Sequence, residues 1–270
     1  MTFYTGSAGI LARKAQLEPM LGHPLHAFKT NTELAQDDVL VGWGQKANTR
    51  QIRQKAHDLG LPYWQLEDGF IGYIGHPARG GKAVSLIADP VGIYYDARQP
   101  SRLEELIATP CDDSMLARAE TLTAELLRLG ITKYNCYTAD SGLPDTLTAR
   151  LHSDPRPKVL LIDQVAGDLS IPGALASEED FVAMVAAARR NHPDARLLLR
   201  THPDTRLGKK SGVLARLALD DVEVVAEHCH PHALLNSVEA VYTVSSQMGF
   251  EALLLGKAVH CFGMPFYAGW

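Results

Sequence analysis

The sequence has no apolar run approaching the roughly 20 residues that a bilayer-spanning helix needs, it shows no internal repeat or low-complexity tract, and a secretory leader is not expected. A soluble globular chain is therefore expected. Cysteine is scarce: the four thiols, Cys111, Cys136, Cys229 and Cys261, form no C-x-x-C pair, which predicts reduced cytosolic thiols rather than a disulfide framework or a redox motif. A zinc site is not expected either, because Cys229, His230 and His232 lack the second half of a ligand set. Nor is there an excess of positive charge. With 26 Lys and Arg against 31 Asp and Glu, the net charge of −5 supplies no global field for nucleic acid, and only a local anion site stays open.

What is present is ordinary globular material, 46% apolar and 21% charged over 270 residues, enough for about two domains. The small residues Thr5 to Gly9 read as a loop feeding a helix over about 11–21. Asp38 to Gly42 and Leu61 to Leu66 read as strands, with a helix opening at Asn48-Thr49 between them, so this stretch is a βαβ unit. Leu86 to Asp96 reads as two short strands around a turn. Ser101 with Glu104 is a capping box, and helical periodicity returns over about 114–129. The Pro-rich break at Asp154 to Pro157 places a domain boundary there, giving domains 1–155 and 156–270. Beyond it, strands are expected at Val159 to Asp163, Ala195 to Arg200, Val222 to Val225, Ala240 to Val244 and Ala258 to Phe262. A helix capped at Ser177 runs to about Asn191, and another opens at Gly249. The alternation describes an α/β chain with doubly wound parallel sheets.

Ligands of such sheets bind at the C-terminal ends of strands, so the residues there are the candidates. Asp163, followed by Gln164, is a carboxylate at a strand end that could act as base, nucleophile or metal ligand, or else as a helix or turn cap, a duty that Asp168 suits better. Glu67 and Asp68 form a second acidic loop that would face Asp163 across a cleft, an arrangement suited to sugar transfer, or else a solvated turn. Arg200 and His202, trailed by Lys209 and Lys210, could neutralise a phosphate. Ser245, Ser246 and Gln247 precede a helix that Gly249 opens, and Glu251 falls in its expected first turn, where it supports the N-terminus or reaches a sugar hydroxyl. His76, Tyr94 and Tyr95 add material suited to a carbohydrate or to packing.

Taken in order, Val41-Gly42-Trp43-Gly44, Leu66-Glu67-Asp68-Gly69-Phe70, Gly92 to Ala97 with Pro100 to Glu104, Thr132 to Asn135, Asp163 to Asp168, Thr201 to Asp204, and Ser245 to Ala252 through Phe266 to Trp270 resemble the KpsC family of bacterial capsule polysaccharide biosynthesis proteins over nearly the whole chain. The resemblance implies a GT-B fold, two Rossmann-like domains facing each other across a cleft, the C-terminal one binding the nucleotide sugar. It implies a retaining β-Kdo glycosyltransferase that takes Kdo from CMP-Kdo, with a lipid-linked Kdo acceptor and no cofactor or metal. In that reading Asp163 is the nucleophile and Glu67 or Asp68 handles the acceptor hydroxyl. His202 with Lys209 or Lys210 holds the donor's phosphate or carboxylate, and Ser245, Ser246, Gln247 and Glu251 bind CMP. The setting would be cytoplasmic, with transient contact at the inner-membrane surface and with other capsule assembly proteins, and no nucleic acid partner. Family members usually carry two modules or a continuation after the Gly-Trp motif, so this chain reads as a single or truncated module. The alternatives are a non-catalytic CMP-sugar-binding or scaffold module, and a GT-B transferase or epimerase using another nucleotide sugar.

Overall fold

The computed structural model covers residues 1–270 and describes all of them except 139, 202–204, 206–210 and 218, with residue 78 described by its backbone alone. The chain divides into two compact units, each of which closes around its own sheet.

The first unit comprises Met1–Tyr73, Lys82–Tyr94 and Gln99–Thr109. Its elements are β1 (Phe3–Thr5), α1 (Ala8–Ala12), α2 (Lys14–Leu21), β2 (Leu25–Ala27), β3 (Val39–Trp43), α3 (Arg50–Leu59) and β4 (Tyr63–Asp68). A small two-stranded sheet of β5 (Tyr73–Ile74) and β6 (Lys82–Ala83) follows, then β7 (Leu86–Asp89) and α4 (Arg102–Ala108). The main sheet has the order β2-β1-β3-β4-β7, parallel except for the antiparallel β4–β7 pair. Side chains alternate across a strand, and so β3 feeds both faces. Val39, Val41 and Trp43 pack with Ile10 of α1 and Leu17 of α2 on one side, while Leu40 packs with Ile52 and Ala56 of α3 on the other.

The second unit comprises Pro110–Trp270 with Ile74–Gly81 and Tyr95–Arg98. It contains α5 (Asp113–Arg128), α6 (Asp145–His152), β8 (Lys158–Ile162), α7 (Ser170–Gly173), α8 (Glu178–Asn191), β9 (Arg196–Arg200), β10 (Val222–Val225), α9 (Pro231–Asn236), β11 (Ala240–Thr243), α10 (Gln247–Leu254) and β12 (Ala258–Cys261). The sheet order is β10-β9-β8-β11-β12 and every pair is parallel. A parallel sheet is covered on both faces, which is why β8 is a continuous apolar run rather than an alternating one. Val159 and Leu161 meet Phe181, Met184 and Val185 of α8, whereas Leu160 and Ile162 meet Leu147 and Leu151 of α6 and Leu234 and Leu235 of α9.

Several expectations need correction. The helix expected over 11–21 is two helices, interrupted at Arg13, whose φ of −100° and ψ of 9° leave the helical region. Only one strand, β7, forms within 86–96, because the Asp89 carboxylate accepts from the N–H groups of Val91, Gly92 and Arg102 and turns the chain back. The contacts group residues 110–155 with the second unit rather than with the first, because Leu147 and Leu151 are buried against its sheet. The expected capping box of Ser101 with Glu104 is present, and Ser177, the expected cap of α8, forms a second one with Asp180.

Candidate functional site

Strand order decides where each unit offers its backbone ends. In the second sheet the chain steps from β8 to β9 and β10 on one side, then returns to place β11 on the other side of β8. The crevice beyond the C-terminal ends of two such strands is the usual ligand position of an open α/β sheet. Asp163 follows β8 and Ser245 lies two residues beyond Thr243, the last residue of β11, so both stand at that switch point.

Asp163 is buried, at 2% exposure. Its Oδ1 accepts from the N–H groups of Gln164 and Leu214, each at 2.9 Å. Its Oδ2 has no hydrogen-bond partner among the described residues. Burial pushes the carboxyl above its usual pKa, opposed by backbone N–H groups of Leu214, Gln164, Ala215 and Val213. Gly212 makes room for it, because a Cβ there would stand 1.9 Å from Oδ2. One oxygen is thus fixed by the backbone while the other is buried without a hydrogen-bond partner among the described residues, and a carboxylate with one oxygen uncommitted is of the type that serves as nucleophile or base.

Gln164 spends its side-chain amide on the neighbouring loop. Its Nε2 donates to Ser245 Oγ at 2.9 Å and its Oε1 accepts from Ser245 N–H at 2.8 Å, while Ser170 Oγ lies 3.3 Å from Gln164 Nε2 and 3.3 Å from Ser245 Oγ. This pairing makes Gln164 a brace for Ser245. Ser246 is the N-cap of α10, its Oγ accepting from Met248 N–H at 3.3 Å. The helix opens at Gln247 rather than at Gly249, so Glu251 falls in the second turn and points inward. Its Oε1 accepts from Lys133 N–H at 3.1 Å, and burial raises its pKa from 4.5 to about 7. Tyr267 closes over the same helix: its hydroxyl donates to Ser246 O at 2.5 Å, and a Cβ on Gly249 would stand 2.4 Å from the Tyr267 hydroxyl oxygen. Arg200 Nη1 donates to Glu227 O at 2.7 Å and so ties β9 to the loop after β10. His202, Lys209 and Lys210 lie outside the described residues. Asp168 serves as a turn cap, its Oδ1 accepting from Ser170 N–H at 2.9 Å.

His230 and His232 are buried. His230 Nδ1 accepts from His232 N–H at 3.0 Å and its Nε2 faces Gly130 O at 3.0 Å; burial and the His230 charge lower the pKa of His232 to about 4. Among the described residues no set of His, Cys, Asp or Glu side chains gathers as metal ligands, and no helix is long and apolar enough to cross a membrane. His76 packs on Tyr134 at 4.6 Å within the second unit, whereas Tyr94 packs edge-on to Phe70 at 5.0 Å within the first.

The first unit holds its own polar cluster at the ends of β3 and β4. Glu67 Oε1 accepts from Trp43 Nε1–H at 2.9 Å and from Asp68 N–H at 3.1 Å, and Asp68 Oδ1 accepts from the Tyr73 hydroxyl at 2.7 Å. Both sequence-nominated carboxylates are therefore oriented by neighbours. Trp43, Tyr73, Gly212 and Tyr267 carried no assigned role in the sequence. Trp43 ends a strand beside a glycine, a usable signal, whereas Gly212 and Tyr267 act through space from distant segments.

The model of the capsule polysaccharide biosynthesis protein family matches residues 38–125 and 113–270. The chain belongs to this family. It is 39% identical over 267 residues to the capsule polysaccharide modification protein LipA of Neisseria meningitidis serogroup B, an alignment covering 98% of this chain and 37% of that one. It is 32% identical over 234 residues to the lipopolysaccharide-processing protein LpsZ of Rhizobium meliloti, covering 85% and 52%. The chain thus spans little more than a third of LipA and about half of LpsZ. In structure it resembles the β-Kdo 2,4 transferase of Thermosulfurimonas dismutans KpsC, with a TM-score of 0.90, 40% identity and coverage of 100% of this chain and 82% of that one. The β-Kdo 2,7 transferase of the same KpsC follows, with a TM-score of 0.67, 26% identity and coverage of 100% and 81%. The fold is α/β and GT-B-like, with two Rossmann-like units as the sequence leads one to expect.

Proposed function

We propose that this chain is a retaining β-Kdo glycosyltransferase that moves Kdo from CMP-Kdo onto a lipid-linked Kdo acceptor, with Asp163 as nucleophile. The observation that carries the reading is the buried Asp163 carboxylate at the β8/β11 switch point, one oxygen held by backbone N–H groups and the other unpartnered among the described residues. Similarity to two chains described as β-Kdo transferases supports the sugar.

Asp163 attacks the anomeric C2 of the donor, and the bond from C2 to the phosphate oxygen breaks with CMP taking the electron pair. The acceptor hydroxyl then attacks C2 and displaces Asp163, its proton passing to Glu67 or Asp68. Two inversions give net retention. Ser245, Ser246 and Gln247, at the N-terminus of α10, hold the phosphate, with His202, Lys209 and Lys210 as its counter-charges and Gln164 bracing Ser245. Glu251 orders the Lys133 loop beside the CMP site. No metal or other cofactor has a step. The reaction belongs at the cytoplasmic face of the inner membrane, in transient contact with the lipid surface and other capsule assembly proteins.

The test is mass spectrometry of the protein incubated with CMP-Kdo, joined to transfer assays of Asp163→Asn. A Kdo adduct on the peptide containing Asp163, and loss of transfer by a variant with unchanged circular dichroism, are the expected results. Near-wild-type turnover by Asp163→Asn, or an adduct elsewhere, would overturn the assignment. Binding of CMP without transfer to any Kdo-terminated lipid would favour a non-catalytic module, for which Asp163 is only the cap of the 213–215 turn.

A further inference from the structure

The first sheet has a switch point of its own. The chain leaves β1 through α1 and α2 on one face, whereas it leaves β3 through α3 on the other, so the crevice of this unit lies beyond the ends of β1 and β3. Trp43 is the last residue of β3 and is almost buried, at 8% exposure, and the hydrogen bond from its indole N–H to Glu67 fixes the plane of its ring. Each of the two crossovers that define the switch sends a cation onto that ring. Arg13, at the α1–α2 break, places its guanidinium carbon 4.6 Å from the ring centroid, and Lys46, in the loop after β3, places Nζ at 5.9 Å. Neither cation is strongly neutralised. Arg13 Nη1 stands 3.8 Å from Asp68 Oδ1, a long contact to an oxygen that already accepts from Tyr73, and Lys46 has no carboxylate partner among the described residues.

We propose that Arg13 and Lys46 form a binding subsite for the carboxylate of an acidic sugar, with Trp43 as the rigid platform that holds the two cations in place. A guanidinium fork and an ammonium against the same indole suit a carboxylate, and the Glu67 and Asp68 carboxylates, hydrogen-bonded to Trp43 and Tyr73, suit the hydroxyls of the same molecule. The ligand class is thus a polyhydroxylated carboxylic acid. That the sugar is Kdo rests on the transferase reading; the cationic subsite does not. Kdo carries its carboxylate in both donor and acceptor, so the two sources are separated kinetically.

Calorimetry of the full chain uses a β-Kdo glycoside and its uncharged methyl ester as probes, with Lys46→Gln, Arg13→Gln and the double variant. Lys46 is exposed, so its replacement leaves folding intact and serves as the control for Arg13. The wild type is expected to prefer the acid by about tenfold, the scale of one charge-assisted contact, and the double variant to lose that preference while binding the ester as before. In transfer assays, a rise in KM for the acceptor alone assigns the subsite to the acceptor, and a rise for CMP-Kdo alone assigns it to the donor. A wild type that treats acid and ester alike, or a double variant that still discriminates, overturns the subsite even if transfer is observed. Discrimination that depends on Arg13 and Lys46 in a protein that transfers no Kdo upholds the subsite and overturns the transferase reading.

Discussion

Replacing Glu251 by Gln isolates the cost of ionising a buried carboxyl. Glu251 is 8% exposed, and burial raises its pKa from the ordinary 4.5 to about 7 against the weaker pull of the Lys133 N–H and ammonium. Between those two values the folded protein holds a proton that the unfolded chain has lost. Stability therefore falls as pH rises through that window, and at about 1.36 kcal/mol per pH unit the loss reaches roughly 3 kcal/mol once the folded group has ionised. Gln keeps the shape and the acceptor for Lys133 N–H but has no charge to develop. Urea unfolding across this range should give two stability curves that meet on the acid side of the window and diverge above it, the variant ending about 3 kcal/mol more stable. Using the difference between the proteins cancels every other titrating group, including the buried His230 and His232. Parallel curves would refute the reasoning, since they would mean that Glu251 ionises at the same pH folded and unfolded. A wild type that gains on the variant as pH rises would mean that Lys133 stabilises the charge by more than burial penalises it.

Three further substitutions test local geometry. Gly212→Ala puts a methyl group against Asp163 Oδ2 and should cost about 1–3 kcal/mol, read as a lower melting temperature; an unchanged melting temperature would show that the carboxylate relocates freely. Gly249→Ala should destabilise the protein through collision with the Tyr267 hydroxyl, and by less in a Tyr267→Phe background; equal costs in both backgrounds would acquit the phenol. Ser177→Ala removes the N-cap of α8 and should lower stability by about 1 kcal/mol in urea denaturation, whereas no shift in midpoint would show that solvent serves the helix end as well.

Much of the second unit could be read from sequence because its signals are local. Val159 to Ile162 is an apolar run closed by Pro157 on one side and Asp163 on the other, and Ser177 with Asp180 announces the start of α8. The first unit was less legible where its elements are short. The three-residue strands β1 and β2 carry too few alternations to register as a period, and they exist because β1 pairs with both β2 and β3. The boundary near Pro155 followed a sound punctuation rule, but Leu147 and Leu151 bury themselves against the second sheet, a tertiary choice invisible in the Pro-rich break. The strand-end positions of Asp163, Gln164 and Ser245 in the second unit, and of Glu67 and Asp68 in the first, were legible because parallel strands deliver their ends to one edge of each sheet. Arg13 was not, because nothing in its neighbourhood marks a helix break, and the platform that gives it meaning lies thirty residues away in Trp43.

The segments Ile74–Gly81 and Tyr95–Arg98 belong to the second unit although the chain on either side of each builds the first. Ala97 N–H donates to Gly173 O at 2.8 Å, and a Cβ on Gly173 would lie 2.3 Å from Tyr95 O. For recombination this means that the halves are not interchangeable cassettes. A crossover between two relatives at residue 109 would join the Tyr95 to Arg98 strap of one parent to the α7 of the other, so chimeras should survive only where those two short stretches descend together. Tyr95 to Arg98 and Ser170 to Gly173 should accordingly be inherited as one block across a gap of about seventy residues, and a shuffled library selected for folded protein would reveal that linkage directly.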